Sequence, residues 1–264
     1  MSHPALSIIL PVFRCCEKAQ AYGHALAEHC HNESIDAEII FVDDGNTDDT
    51  AQTLSALNLA VASRVISLSK NQGKGLAVAV GLLSARGNHC IFSDADGAYE
   101  PKSVIKLYRA LQEGHDVAIA NRRLQPSATT SQSNETSTYL MQRQLTGNFF
   151  ATVTQFLLGI HFTDTQAGLK GFARDAAAHI FQRIRHHGFL FDLEVMIICQ
   201  QAGLNVKEVP IQPHVTDDHS TVNMLKLAFS FLPDVFKIRG AAKKGTYQEV
   251  NAQVVDTLNS VTSS

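Results

Sequence analysis

Short apolar runs alternate with segments of helical spacing or composition along the first 122 residues. The apolar runs predict strands at "LSIILPVF", "AEIIFVDDG", "RVISLS", "HCIFSDAD" and "DVAIANR". The intervening segments that favour helices include "EKAQAYGHALAEHC", "GKGLAVAVGLLSAR" and "PKSVIKLYRALQEG". Alternation of strand and helix predicts an α/β fold, Rossmann-like, in which a mostly parallel sheet carries helices on both faces.

The rest of the chain shows neither a repeat nor a domain linker. We therefore interpret residues 1–244 as a single domain, with one half at about 1–121 and a second half at about 122–244. The Ser/Thr-rich stretch 126–138 predicts a mobile surface loop. The polar composition of residues 245–264 predicts a flexible tail.

Two apolar segments raise the question of membrane contact. Residues 144–163 carry no formal charge, but polar side chains interrupt them, whereas a spanning helix needs about 20 predominantly apolar residues. We interpret this segment as a buried or interfacial helix. Residues 223–239 are amphipathic, with cations at the ends. For both segments the sequence leaves two interpretations open. They lie at a membrane interface, or they are buried in the core or in a homodimer contact.

Composition excludes some classes of protein. The net charge of -3 gives no electrostatic footprint for nucleic acid. The five cysteines have no C-x-x-C pairing, which predicts buried thiols in a reducing compartment. The N-terminus lacks a basic region and a long apolar core, so we expect no signal peptide. The predicted location is cytoplasmic, with peripheral contact at the inner face of a membrane as a further hypothesis.

Acidic residues follow two of the predicted strands. Asp44 ends the second strand, and Asp94 and Asp96 end the fourth. Ligands bind beyond the carboxyl ends of parallel strands, so these side chains share a predicted ligand-binding rim. Residues i and i+2 of an extended chain point to the same side, and two carboxylates so placed suit Mg²⁺ or Mn²⁺. An acidic turn without a ligand is the alternative.

Cations lie at two further places. Lys74 stands between two glycines at the predicted start of a helix, where backbone N–H groups favour anions. This position predicts that Lys74 contacts a phosphate or a nucleotide. A solvated turn is the alternative. Four others surround the Ser/Thr-rich stretch and together would clamp a phosphate, or simply aid solubility. They are Arg122, Arg123, Arg143 and Lys170.

Two acids stand in the apolar stretch "GFLFDLEV". Buried carboxylates require partners. We expect Asp192 to cap a helix, whereas Glu194 has two open readings, a structural ion pair or a contact to cations of the site.

The order and spacing of these stretches resemble those of the family 2 glycosyltransferases with the GT-A fold, from about residue 6 to about residue 239. The resemblance is closest to the polyprenyl-phosphate glycosyltransferases and, among them, the dolichyl-phosphate β-glucosyltransferases. It rests on "ILPVF", "VDDGNTDDT", "KNQGKGLAVAVGLLSARG", "SDADGAYEP", "DTQAGLKGF", "FDLEV" and "VPI".

The resemblance implies an inverting glycosyltransferase that moves a sugar, glucose, from a UDP-sugar to a polyprenyl or dolichyl phosphate with Mg²⁺ or Mn²⁺. It implies that Pro11, Asp44 and Lys74 line the nucleotide. Asp96 would bind the metal at the diphosphate, and Asp94 would contact ribose or metal.

The acceptor side is implied in the same way. Arg122 and Arg143 resemble the arginines that hold the acceptor phosphate, and Asp164 matches an aspartate beside the reacting sugar. A phosphate acceptor is already largely ionised at neutral pH, so it needs these cations, with Arg123 and Lys170, more than it needs a base. A hydroxyl acceptor would need a carboxylate base, for which Asp164 is the candidate.

The chain also departs from the family pattern. The first loop reads "PVFRCCE" instead of "PxYNE", Ala98 stands where many relatives have glutamine, and "QPHVTDDHST" follows "VPI" where many carry an arginine. The alternatives are a soluble transferase of the same fold with a saccharide or other hydroxyl acceptor, a non-catalytic nucleotide-sugar binding protein, and a nucleotidyltransferase.

Overall fold

The computed structural model describes residues 3–45, 48–124, 157–212 and 224–262. Its strands are β1 (Leu6–Val12), β2 (Ala37–Asp43), β3 (Ala62–Ser67), β4 (His89–Ser93), β5 (Val117–Asn121), β6 (Leu169–Ala173) and β7 (Val206–Pro210). Its helices are α1 (Cys16–Asn32), α2 (Thr50–Ser55), α3 (Lys74–Ser84), α4 (Pro101–Gln112), α5 (Arg174–Phe181), α6 (Phe191–Gln201), α7 (Met224–Lys243) and α8 (Ala252–Thr262). A 3-10 turn covers Thr246–Gln248.

The strands form one sheet in the order β3-β2-β1-β4-β6-β5-β7. The pairs β1–β2, β2–β3, β1–β4 and β5–β7 are parallel, and β6 runs antiparallel to both of its neighbours. The predicted α/β class and mostly parallel sheet are confirmed. The strand β6 was not predicted, because "LKGFA" reads as a polar, glycine-bearing connection rather than as an apolar run.

Helices cover both faces of the sheet and give two apolar cores. One core packs α3, α5, α6, α7 and α8 against the sheet, and the other packs α1, α2 and α4. The helix α3 lies close to β1 and β2, since a Cβ on its Gly81 would come within 2.4 Å of Ile9 Cγ2. Small residues along "GKGLAVAVG" therefore fix the distance between this helix and the sheet, and with it the position of the helix N-terminus.

The sheet opens a crevice beside β1. The chain runs from β1 outward to β2 and β3, then returns to place β4 on the other side of β1. Pairing of β1 with β4 ends at Ile9 and Phe92, whereas pairing with β2 continues to Val12 and Asp43. Strand order reverses at this point, which is where ligands bind in open α/β sheets.

The predicted flexible tail is corrected by the structure. The side chain and backbone of Asn251 hydrogen-bond to the carbonyl oxygens of Ile184 and Gln182, and Val254 on α8 is fully buried. The apolar positions of α8 repeat at helical spacing, so the helix closes the core beside α3. Within the ranges given above, no helix has the length and apolar character needed to cross a membrane.

Several predictions fall wholly or largely outside the described residues. They concern the surface loop 126–138, the cation Arg143, most of the apolar segment 144–163 and most of "QPHVTDDHST". The amphipathic stretch 223–239 corresponds to the helix α7, which contains Pro233.

Candidate active site

The acid at the end of β2 anchors the loop before α3. Asp44 is buried, and its two oxygens accept hydrogen bonds from the backbone N–H groups of Gln72 (2.8 Å) and Gly73 (3.0 Å). Burial raises the pKa of Asp44, and the two hydrogen bonds offset this only in part. Asp44 thus lies at the predicted rim and shapes the "KNQGKG" loop, and Pro11 lies near the same end of the sheet, opposite Val42.

Lys74 begins α3 and pairs with the acid at the end of β4. Its Nζ lies 2.5 Å from Oδ1 of Asp94. Burial lowers the pKa of Lys74, but attraction to Asp94 and to Asp192 outweighs burial, so the pKa lies above its ordinary value. A permanent cation therefore stands at a helix N-terminus on the crevice, a place that favours phosphate groups.

Asp96 is the exposed member of the D-x-D pair. Its Oδ1 accepts the backbone N–H of Ala98 at 3.0 Å, and Gly97 turns the chain with φ of 78°. Mg²⁺ and Mn²⁺ take oxygen ligands, and Mg²⁺ is usually held by one or two carboxylates together with substrate phosphates and water. Asp96 and Asp94, whose side chain is 29% exposed, carry carboxylate oxygens of the type that such an ion takes. Among the residues that the structure describes, no cluster of three or more His, Cys, Asp or Glu side chains is placed to hold a metal.

A residue that the sequence analysis missed fixes Asp94 from behind. The backbone N–H of Asp94 donates to the carbonyl of Gly168 at 2.9 Å, and a Cβ at position 168 would lie 1.9 Å from Asp94 Oδ2. Tyr99 accepts the Gly168 N–H through its hydroxyl at 3.1 Å. The sequence signal for this contact is Gly168 in "QAGLKG". Its partner, Asp94, becomes known only once β6 is placed beside β4.

Arg122 and Asp164 form a two-point ion pair at the end of β5. The guanidinium donates to both carboxylate oxygens, at 2.8 and 2.9 Å, and the backbone N–H of Arg122 donates to Oδ2 at 3.0 Å. Asp164 is 3% exposed and Arg122 41% exposed. Burial would raise the pKa of Asp164, but the hydrogen bonds and charge of Arg122 outweigh it and hold this pKa below its usual range.

Lys170 lies in the core, which corrects its predicted place among the cations that would clamp a phosphate. It is fully buried on β6, and its Nζ lies 2.5 Å from Asp192 Oδ1 and donates to the Ala167 carbonyl at 2.6 Å. The expected helix cap at Asp192 is also wrong. Leu190 occupies the N-cap of α6, and Asp192 stands in the first turn, paired with Lys170.

Glu194 holds a loop behind the start of α3. Its oxygens accept the N–H groups of Arg185 and His186 and the Tyr247 hydroxyl, each at 2.7 Å. The carbonyl of His187 then accepts the Gly75 N–H at 2.7 Å. Neither of the two readings of Glu194 is what the structure shows, because its partners are neutral donors that fix this loop.

Charged side chains alternate in sign from the β4 end to the β5 end of the crevice. Asp192 attracts both Lys74 and Arg122, and Lys170 attracts Asp164. The series contains three acids and three bases, namely Asp94, Lys74, Asp192, Lys170, Asp164 and Arg122. The buried pair Lys170–Asp192 therefore interacts electrostatically with both pairs that face the crevice, Lys74–Asp94 and Arg122–Asp164.

The exposed side of the β5 end carries a second arginine. The Arg123 side chain is exposed, and its backbone N–H donates to Asn121 at 2.8 Å. Arg122 and Arg123 thus stay available to a ligand, and Arg143 lies outside the described residues.

A sequence model described as "Glycosyl transferase family 2" matches residues 7–181. The chain belongs to glycosyl transferase family 2. The dolichyl-phosphate beta-glucosyltransferase of Saccharomyces cerevisiae is 32% identical over 228 residues, covering 80% of this chain and 67% of the relative. The enzyme of the same name from Mus musculus is 32% identical over 220 residues, covering 78% and 66%. This family 2 chain thus spans about two thirds of the length of these relatives.

A solved structure supports the fold of this family 2 chain. The glucosyl-3-phosphoglycerate synthase of Mycobacterium tuberculosis, in complex with Mn²⁺, UDP and glucosyl-3-phosphoglycerate, superposes with a TM-score of 0.58 at 17% identity, covering 94% of this chain and 82% of that one. At this identity the likeness concerns the fold alone. The GT-A fold and the family membership predicted from the sequence are both confirmed.

Proposed function

We propose that this chain is an inverting glycosyltransferase that moves glucose from UDP-glucose to a polyprenyl phosphate such as dolichyl phosphate, with a divalent metal. The activity in the names of the yeast and mouse relatives supports the proposal. The observation that carries the choice of acceptor is the pair formed by Arg122 and Asp164.

The pair favours a phosphate acceptor over a hydroxyl acceptor. A hydroxyl must lose a proton as it attacks, and a general base works best when its pKa is near the operating pH. Asp164 has a lowered pKa and both oxygens occupied by Arg122, so it is poorly suited to that task. A phosphate monoester is already largely dianionic at neutral pH, with a second pKa near ~6. It needs a fixed cation, which the exposed edge of Arg122 supplies.

The donor side is organised by two other features. Lys74, at the N-terminus of α3, would hold a phosphate of the donor, and Asp44 keeps the preceding loop in place to receive the nucleotide. A divalent metal, when bound, would neutralise the charge that develops on the leaving diphosphate, and Asp96 with Asp94 would hold it. The donor phosphates would supply further oxygen ligands to this metal.

The transfer itself is a single displacement. An oxygen of the acceptor phosphate attacks the anomeric carbon of the sugar while the bond from that carbon to the diphosphate oxygen breaks. The bonding electron pair leaves with the nucleoside diphosphate, and the configuration at the anomeric carbon is inverted. Arg122 orients the attacking phosphate, and Lys74 stabilises charge on the leaving diphosphate, because both are fixed cations in a partly buried site.

A lipid acceptor also implies contact with a membrane surface. Leu124, directly after the two arginines, and Phe189, in the loop behind α3, are large apolar side chains exposed to solvent. Such residues beside the crevice support peripheral docking. In cosedimentation with anionic liposomes, we expect the wild type to be found in the liposome pellet. The double variant Leu124→Gln, Phe189→Gln should stay in the supernatant. Equal amounts of the two proteins in the pellet would count against docking.

An acceptor and donor panel tests the proposed function. The purified chain is incubated with Mn²⁺, one of several labelled nucleotide sugars, and either a polyprenyl phosphate or a free saccharide. We expect the label to move from UDP-glucose to the lipid phosphate with release of UDP. Transfer to a saccharide alone would favour the soluble hydroxyl-directed alternative. Release of pyrophosphate would indicate a nucleotidyltransferase, and binding without turnover would indicate a non-catalytic protein.

A further inference from the structure

Glu208, on β7, joins the end of β5 to the segment that precedes β6. One carboxylate oxygen accepts the backbone N–H of Thr163 at 2.7 Å, and the other accepts the Thr163 hydroxyl at 2.8 Å and the Asn121 side-chain amide at 3.1 Å. Thr163 and Asn121 are 42 positions apart in the chain. One carboxylate thus fixes two segments that are distant in sequence.

Asn121 completes the junction from the β5 side. It is fully buried, its side-chain N–H donates to the Thr163 hydroxyl as well as to Glu208, and its Oδ1 accepts the Arg123 N–H at 2.8 Å. Every polar atom of this buried amide therefore has a partner. Such a satisfied network specifies one arrangement of the chain.

The two residues that follow Asn121 and Thr163 are the members of the acceptor-side ion pair. Arg122 and Asp164 meet through three hydrogen bonds, one of which involves the Arg122 backbone. Their geometry is set by where Asn121 and Thr163 place the two chains. Glu208 hydrogen-bonds to Asn121 and Thr163, and it makes no described contact with the guanidinium of Arg122.

We infer that Glu208 is a positioning residue that holds Arg122 in the orientation needed to receive the acceptor phosphate. The inference rests on the proposed function, in which Arg122 binds that phosphate. A carboxylate suits the position because two acceptor oxygens meet three donors. A glutamine would turn an N–H₂ group toward the donors of Thr163 or Asn121 and so open the junction.

The orientation of Arg122 can be measured without turnover. The Nε–H resonance of Arg122 reports its hydrogen bond to Asp164, and it is assigned by its loss in Arg122→Lys. We expect Glu208→Gln to shift or broaden this resonance. The control Glu113→Gln changes an exposed glutamate beyond the end of α4 and should leave it unchanged. An unperturbed resonance in Glu208→Gln would overturn the inference.

Kinetics separate positioning from general stability. Glu208→Gln should raise the KM for a short-chain polyprenyl phosphate by about tenfold, while the KM for UDP-glucose stays within about twofold. Because Glu208 acts through Arg122, the double variant Arg122→Ala, Glu208→Gln should be no worse than Arg122→Ala alone. Additive losses, or equal rises in both KM values, would overturn the inference.

Two further measurements keep the outcomes distinct. If Glu208→Gln fails to fold, Thr163→Val removes the bridging hydroxyl but keeps the backbone bond to Glu208, and the same resonance and KM comparisons apply. If the wild type transfers nothing to any polyprenyl phosphate, the proposed function fails. The Nε–H comparison then still supports or overturns the positioning of Arg122 by Glu208.

Discussion

Both carboxylate oxygens of Asp164 are occupied by the guanidinium of Arg122, at 2.8 and 2.9 Å. The carboxylate is buried, whereas the guanidinium keeps one side toward solvent. An acid in this setting orients its cation, and the cation remains able to bind an anion. The relationship links the fold to the proposed acceptor, because β5 delivers Arg122 and the segment before β6 delivers Asp164.

Asp164→Asn should weaken acceptor binding more than donor binding. The amide cannot receive both guanidinium donors, so Arg122 loses its fixed orientation, and we expect kcat/KM for the polyprenyl phosphate to fall at least about tenfold. Steady-state kinetics with each substrate varied in turn measures this. Asp175→Asn, an exposed change on α5, is the matched control and should behave as wild type.

The pH profile distinguishes positioning from base catalysis at the same residue. Arg122 holds the pKa of Asp164 below the usual range of a carboxyl group, so Asp164 stays ionised throughout the neutral pH range and contributes no rise in rate there. Asp164→Asn should therefore not change the shape of the profile of rate against pH over about one pH unit on each side of neutral. A rising limb that disappears in the variant would identify Asp164 as a base.

Lys74→Met should weaken donor binding selectively. The variant removes a permanent cation from the N-terminus of α3 and leaves Asp94 without its partner. We expect the Kd for UDP, measured by calorimetry, to rise about tenfold or more, since hydrogen bonds to charged groups contribute about 1.5–3 kcal/mol. The exposed change Lys106→Met on α4 is the control. Unchanged UDP affinity in Lys74→Met would remove Lys74 from the donor site.

Gly168→Ala should disturb Asp94 through a steric clash. A Cβ at this position would lie 1.9 Å from Oδ2, so the carboxylate must move, and we expect a loss of stability of about 1–3 kcal/mol with reduced donor turnover. Gly240→Ala on α7 is the control, because a Cβ there meets no atom within 4 Å. It should keep wild-type activity. A fully active Gly168→Ala variant would show that the position of Asp94 is unimportant.

Lys170→Met tests whether this cation supports the core or reaches the acceptor. Removing one partner of a buried pair typically costs about 3–5 kcal/mol, so urea denaturation should show a large loss of stability. Lys170→Met, Asp192→Leu should recover part of it, because no unpaired charge remains buried. A stable Lys170→Met protein with a raised acceptor KM would instead return Lys170 to the acceptor site.

The sequence predicts the parts of this molecule that rest on local patterns. The strands β1 to β5 and the rim acids Asp44, Asp94 and Asp96 follow from apolar runs that end in carboxylates. Lys74 follows from its place between glycines at a helix start. Each of these depends on neighbours in the chain and on the common edge of a parallel sheet.

Other features depend on pairings that no local pattern contains. Lys170 reads as a surface cation until β6 is inserted between β4 and β5, which turns its side chain toward Asp192 in the core. Glu208 contacts Asn121 and Thr163 across 87 and 45 positions of sequence. The closing helix α8 reads as a polar tail because only its buried side is apolar.

The product of the reaction shows directly which bond the enzyme makes. Purified protein is incubated with UDP-α-glucose, Mn²⁺ and a short-chain polyprenyl phosphate, with Asp96→Ala as the metal-site control. Mass spectrometry and ³¹P and ¹H NMR then identify the product. We expect a β-glucosyl phosphodiester of the lipid from the wild type and little from Asp96→Ala. No glucosylated lipid, an α-linked product, or full activity of Asp96→Ala would contradict the proposed reaction.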